Sequence, residues 1–288
     1  MSVTAQTITD DLRRWIVAQA QAGCRPEEVL AAMRASGWDE DVAIAALEAT
    51  LNAHVDSQRA ALQMQQLSPA VPVPDPALAG GAPVLVIEGH PVRLLMSLRL
   101  PRVVVFGGLL SDDECDGLMA LAAPRLARSE TVDNATGGSE VNPARTSDGM
   151  FFERGQAPLI ERIERRIAAL LDWPVERGEG LQILRYRPGA EYKPHHDYFD
   201  PQHSGTPTIL QRGGQRVGTL VMYLNTPDGG GATTFPDVLL EVAPIKGNAV
   251  FFSYDRPHAM TKTLHGGAPV TAGEKWVATK WLREGEFV

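Results

Sequence analysis

Residues 181–201 read LQILRYRPGAEYKPHHDYFDP, and the reading of the rest of the chain depends on them. LQILRY is an apolar run of strand length, RPG breaks it, and the segment beyond carries His195, His196 and Asp197 in succession. Along extended backbone, side chains at i and i+2 project to the same face. His195 and Asp197 therefore converge, while His196 points away. An imidazole and a carboxylate placed in this way are part of a two-histidine, one-carboxylate facial metal site, which leaves coordination positions open on non-haem Fe(II). H-x-D alone is short enough to arise by chance, so the reading needs another ligand.

Residues 261–281, TKTLHGGAPVTAGEKWVATKW, supply it as His265, with Lys275 further along. In the strand that ends this stretch, Lys275, Val277, Thr279 and Trp281 share one face, and Trp276, Ala278, Lys280 and Leu282 share the other. If Lys275 faces inward, Lys280 cannot face the same way. A lysine buried there requires an anionic partner.

Between and around these stretches lie more short apolar runs broken by Gly and Pro: TLVMYLN, TTFP, LEVAPI and NAVFF. Their lengths predict an antiparallel barrel or jelly roll. GGG at 229–231 has no following helix and no Lys-Ser/Thr, so it reads as a loop rather than a phosphate cradle. Upstream, PRVVVFGGLLS is strand-like. Helices are expected over 111–127, where Ser111 is a good N-cap before an acid-rich first turn, and over 157–172. The expected core is thus mainly β, a double-stranded β-helix over residues 83–288 with buttressing helices.

The beginning of the chain differs in character. LRRWIVAQAQAG follows Asp10 and Asp11 and stops at Gly23; Pro26 opens EEVLAAMRASG; Asp39, Glu40 and Asp41 open VAIAALEATL. These predict a small all-α three-helix bundle over 1–54. HVDSQRAALQMQQ can prolong the last helix, and SPAVPVPDPALAGG reads as a flexible linker, placed over 55–82.

Composition bounds the function. With 44% apolar residues the chain can fill a core, and a net charge of −8 makes nucleic acid a poor partner. No apolar run is long enough to span a membrane. MSVTAQTITDDLRRW lacks the apolar stretch of a secretory signal. Cys24 and Cys115 lack metal-ligand spacing and suit a reducing cytoplasm, so a metal site must come from histidines and carboxylates.

From about Pro101 to Val288 the sequence resembles the catalytic domain of the prolyl 4-hydroxylases, within the Fe(II)/2-oxoglutarate dioxygenases. The matching motifs, in order, are LLSDDECDGLMALA, ARTSDGMFF, LQILRYRPGAEYKPHHDYFDP, RVGTLVMYLN, GGGATTFP, VAPIKGNAVFF and LHGGAPVTAGEKWVATKWL. The resemblance implies an enzyme in which His195, Asp197 and His265 hold Fe(II) and Lys275 pairs with the C5 carboxylate of 2-oxoglutarate. It places Tyr186 and Thr219 on the same co-substrate, and Arg145, Tyr192 and Trp281 on the side of a proline-containing peptide or protein. O2 is the other co-substrate, and ascorbate accompanies it as reductant. The insertion-like DPQHSGTPTILQRGGQ departs from the family pattern at the substrate mouth.

Plainer readings stand beside these. His196 is an orienting or surface residue, and His203 and His258 lie in loops. Arg145 can be an ordinary ion-pair residue; Tyr186, Tyr192 and Trp281 can be core aromatics. The same site on a free amino acid or small metabolite is one alternative activity; a catalytically idle binding or sensing protein is another. The N-terminal bundle resembles ubiquitin-associated-type domains in outline, which implies docking to a protein partner; packing or dimerisation is the other reading.

Overall fold

In the N-terminal part, breakers and caps fix three helices: α1 (Asp10–Gln21), α2 (Pro26–Ala35) and α3 (Glu40–Gln66). Thr9 Oγ1 accepts from Leu12 N to open α1, Pro26 opens α2, and Asp39 Oδ1 accepts from Asp41 N and Val42 N to open α3. Ile16, Val29, Met33, Ala43, Ala46 and Leu47 close the core of this bundle. The computed structural model describes residues 6–78, 82–129, 131–132, 136, 138–140 and 145–288. Part of the N-terminal segment read against a signal (1–5), part of the linker (79–81) and Ala144 of the ARTS motif lie outside the described residues.

The bundle boundary expected at residue 54 is corrected. α3 continues to Gln66, because no Gly or Pro interrupts the chain between Trp38 and Pro69, and the division into compact units falls between Leu67 and Ser68. The free tether is corrected as well. Residues 68–78 lie as a strap on the second unit: Val71 N donates to Asp255 O (2.9 Å), Asp75 N to Leu171 O (3.2 Å), and Arg102 Nε pairs with the Asp75 carboxylate at 2.6 Å. Val71, Val73 and Leu78 pack against the core. Alternating prolines favour an extended chain with few N–H groups to satisfy; that composition marks a conformation, not a lack of contacts.

The second unit contains β1 (Val84–Ile87), β2 (His90–Leu98), β3 (Arg102–Gly107), α4 (Asp112–Ala122), β4 (Ala127–Arg128), β5 (Asp148–Phe152), α5 (Pro158–Leu171), β6 (Leu181–Tyr186), β7 (Tyr192–His195), β8 (Arg216–Tyr223), β9 (Thr233–Phe235), β10 (Leu240–Val242), β11 (Ala249–Ser253), β12 (His265–Gly267) and β13 (Lys275–Arg283). A major sheet runs β1-β2-β3-β11-β8-β13-β6-β5-β4 and a minor one β10-β9-β12-β7, paired antiparallel throughout. This is the mainly β jelly-roll architecture expected.

Alternation in the central strands assigns each sheet face. Leu220 and Met222 of β8, Phe251 of β11 and Ala278 and Leu282 of β13 pack with Cys115, Leu118, Ile160, Ile163, Ile167 and Leu170 of α4 and α5. On the other face Tyr223, Val250, Phe252 and Val277 pack with Phe235 and Val242 of the minor sheet. The helices therefore cover one side of the major sheet, and the other side is left to form a cavity with the minor sheet. The acids of 112–114 prove to be a helix start: Ser111 and Glu114 cap α4 reciprocally, and Glu114 is clamped by Arg166 at 2.6 and 2.8 Å.

Candidate active site

A cavity between the sheets is lined by Arg145, Tyr186, Tyr192, His195, Asp197, Thr219, His265, Lys275 and Trp281, with apolar walls from Leu184, Val221 and Val277. Every site residue expected from the sequence faces it. His195 ends β7 and His265 begins β12, and the two are directly paired in register. Their strands approach closely because Gly266 lies between them; a Cβ there would come within 2.9 Å of Tyr192 O. Asp197 sits in a bend just beyond β7 rather than within it, yet it reaches the same point. Donor atoms of His195, Asp197 and His265 lie within 4.8 Å of one another.

Each imidazole is already oriented. His195 Nδ1 lies 2.9 Å from Lys193 O and His265 Nδ1 lies 3.0 Å from Thr263 O; since a carbonyl only accepts, Nδ1 is the donor in each ring and Nε2 is the nitrogen left to a metal. Both Nε2 atoms face Asp197, at 3.5 Å from Oδ1 and 3.4 Å from Oδ2. Burial works against ionisation of Asp197, but His265 and His195 outweigh it and hold the carboxyl well below the ordinary aspartate value. Burial, then His265, lowers the pKa of His195 and keeps that ring neutral. Two imidazole Nε2 atoms and an ionised carboxylate, with each Nδ1 tied to a carbonyl, fit a divalent iron.

His196 turns away, stacked on Tyr198 at 4.6 Å. His203 and His258 are exposed, and His258 Nδ1 accepts from Met260 N at a local turn.

Away from the triad, Lys275 is buried between the Tyr186 and Tyr223 rings (5.5 and 5.8 Å). Loss of water alone pulls its pKa down to about 8; among the described residues no carboxylate stands beside it. The GGG stretch is not wholly a loop: Gly229–Gly230 pairs antiparallel with Val270–Ala272, and Gly231 after it lies against the lysine stem, where an added Cβ would lie 3.0 Å from Cδ at a φ of +73°. Lys280 faces the opposite side, as the alternation requires, but it is not a surface residue: it is buried and its Nζ lies 2.5 Å from Glu164 Oε1 on α5.

Tyr192 stacks on His195 at 3.7 Å and the Arg145 guanidinium lies 5.0 Å from the Tyr192 ring. Arg145 also donates to Gln182 Oε1 (2.7 Å). Trp281 lies under Arg216, 4.1 Å from its ring, and Arg216 is clamped by Glu179 at 2.7 and 2.9 Å. The insertion-like segment is ordered by Gln215, whose amide closes a reciprocal pair with the Phe199 backbone (2.7 and 2.8 Å). Sequence reading missed Arg216, Glu179 and Tyr254. Tyr254 was within reach, since Val250, Phe252 and Tyr254 alternate onto the cavity side.

Residues 181–283 match the model of the 2OG-Fe(II) oxygenase superfamily. A solved viral collagen prolyl hydroxylase from Paramecium Bursaria Chlorella virus-1, in its 2OG complex, is similar at TM-score 0.48 and 30% identity, over 63% of this chain and 95% of that one. Among curated proteins of Arabidopsis thaliana, prolyl 4-hydroxylase 5 is 40% identical over 65% of this chain and 70% of its own length. Prolyl 4-hydroxylase 1 is 42% identical over 64% and 69%. This chain belongs to the prolyl 4-hydroxylase family. As a member of that family it is an Fe(II)- and 2-oxoglutarate-dependent dioxygenase with O2 as second co-substrate.

Proposed function

We propose that this prolyl 4-hydroxylase family member hydroxylates prolyl residues within a peptide or protein, with ascorbate as its reductant. A reducing cytoplasm, where Cys24 and Cys115 stay free thiols, is the compartment of this reading. The observation that carries it is one cavity lined both by the His195–Asp197–His265 cluster and by a buried lysine with no counter-charge among the described residues.

His195 Nε2, His265 Nε2 and one Asp197 oxygen would hold Fe(II). The bound iron, with 2-oxoglutarate and O2, supplies the oxidising power to convert an unactivated C–H bond to an alcohol, with succinate and CO2 as co-products. Lys275 would take the distal carboxylate of 2-oxoglutarate, which gives the buried ammonium its missing partner. Tyr186, paired across the strands with Lys275, borders that position. Leu184, Val221 and Val277 keep water from the walls.

Arg145, Tyr192 and Trp281 make an aromatic slot with a fixed cation, suited to a proline ring held by its neutral amides. Trp281 adds a buried indole N–H with no acceptor among the described residues, which a peptide carbonyl would satisfy. Free L-proline would bring two charges into this slot and is expected to be the poorer substrate.

The test incubates the full chain with Fe(II), 2-oxoglutarate, ascorbate and a proline-containing peptide, reading succinate and a peptide mass gain of one oxygen. Efficient turnover of free proline with none of any peptide would give the small-molecule reading instead. Succinate formation with neither substrate class would refute both.

A further inference from the structure

Thr219 and Tyr254 are buried polar residues whose hydroxyls meet on the metal side of the cavity. Thr219 Oγ1 donates to Asp197 Oδ2 at 2.8 Å, and Tyr254 Oη lies 2.9 Å from the same Oγ1. A threonine hydroxyl has a single proton and an ionised carboxylate only accepts. The Thr219 proton is therefore committed to Asp197, and the second bond must run from the Tyr254 hydroxyl to Thr219. The direction is Tyr254 to Thr219 to Asp197.

We propose that Tyr254 is a positioning residue for the metal centre, acting through Thr219 to hold Asp197 as a one-oxygen ligand. The proposal rests on the triad being the iron site. With Oδ2 taken by Thr219, Oδ1 is the oxygen left to the ion. Without Tyr254 the Thr219 hydroxyl is held by the carboxylate alone; with it, a second bond to Oγ1 fixes the oxygen and leaves its proton pointing at Asp197. Nothing in the packing requires the tyrosine hydroxyl. Tyr254 is 2% exposed and continues a run that already contains Phe251 and Phe252, and a phenylalanine would fill the same place without a polar atom to satisfy. Thr219 itself is carried by β8, where register sets it opposite Phe252 of β11 and Trp281 of β13, so its Cα has little freedom to compensate.

Calorimetric titration of anaerobic Fe(II) into the metal-free full chain tests this, with melting of the metal-free protein measured alongside. Thr219→Val, which keeps shape and removes the hydroxyl, should weaken Fe(II) binding by about 10–100-fold, the range for partners of ligating side chains. Thr219→Ser should restore most of it. Tyr254→Phe should weaken binding by about tenfold, with little change in metal-free melting. In the Thr219→Val background, Tyr254→Phe should cause no further loss beyond about twofold, because its route to Asp197 is gone. Equal losses in both backgrounds, or unchanged affinity with lowered melting, would overturn the proposal and leave Tyr254 a packing residue. If the unsubstituted chain takes up no Fe(II), the triad reading fails first and the relay with it.

Discussion

The two lysines of β13 lie on one strand, on opposite faces, and both are buried, yet their surroundings are opposite in kind. Lys280 meets Glu164 on α5, more than a hundred residues away in the chain. Lys275 meets two tyrosine rings and, among the described residues, no carboxylate, and burial leaves its pKa at about 8. The helix-covered face of the major sheet is electrostatically complete in itself; the cavity face is complete only when something binds. A buried charge with its partner belongs to the fold, and a buried charge without one costs stability that a ligand can return.

Substitutions should separate the faces. The largest effect belongs to the cavity: Ala at His195, Asp197 or His265 should abolish turnover, while His196→Ala keeps most iron binding. Succinate assays and Fe(II) titration of the metal-free protein check both statements. On the helix face, Lys280→Ala strands Glu164 and should lower unfolding free energy by about 3–5 kcal/mol in denaturant titrations. Combining Lys280→Met with Glu164→Gln should recover most of that, since the glutamine still accepts from Gly155 N, which Glu164 holds at 2.8 Å. Lys275→Ala should do the reverse: melting of the ligand-free protein holds or rises, and 2-oxoglutarate affinity falls by about 2–5 kcal/mol. A Lys275→Ala protein as unstable as Lys280→Ala would erase the distinction.

The pH dependence follows with a definite sign. Lys275 is depressed from 10.5 to about 8, so between those values the unfolded chain holds the proton that the folded chain has lost. Stability of the ligand-free enzyme should gain from this group as pH rises through that window. Affinity for 2-oxoglutarate should move oppositely, falling by up to about tenfold per pH unit above pH 8, because the carboxylate needs the ammonium. Calorimetry on both sides of pH 8 reads it, and Lys275→Ala should flatten the profile.

A further effect concerns the strap, which ties the end of α5 through Asp75 N and Leu171 O. A chain starting at Ser68 should melt like the complete second unit, and one starting at Pro83 should lose on the order of 3 kcal/mol from the uncovered Val71, Val73 and Leu78.

Local periodicity made one side of this comparison visible in the sequence and hid the other. Period-two alternation placed Lys275, Val277, Thr279 and Trp281 on one face, and i, i+2 spacing brought His195 to Asp197 even though the strand ends before Asp197. Ser111 and Pro26 marked helix starts correctly. What stayed hidden were pairings between distant segments: Lys280 with Glu164, Arg216 with Glu179, Asp75 with Arg102. No spacing rule links such positions. Proline content marks an extended strap as readily as a free tether, and the bundle boundary at 54 falls short even though the run to Gln66 reads as a possible helical extension, with no Gly or Pro between Trp38 and Pro69.

The carbonyl-locked imidazoles have a consequence for the enzyme's dealings with other ions. A rigid pair of imidazole nitrogens and one carboxylate has nothing in it that prefers iron; later first-row divalent ions bind such donors more tightly, with copper at the maximum. Cobalt, nickel and zinc should therefore displace Fe(II) at equal concentration and silence turnover. Occupancy by iron is then set by the metal ions available around the protein, and catalytic output reports that supply.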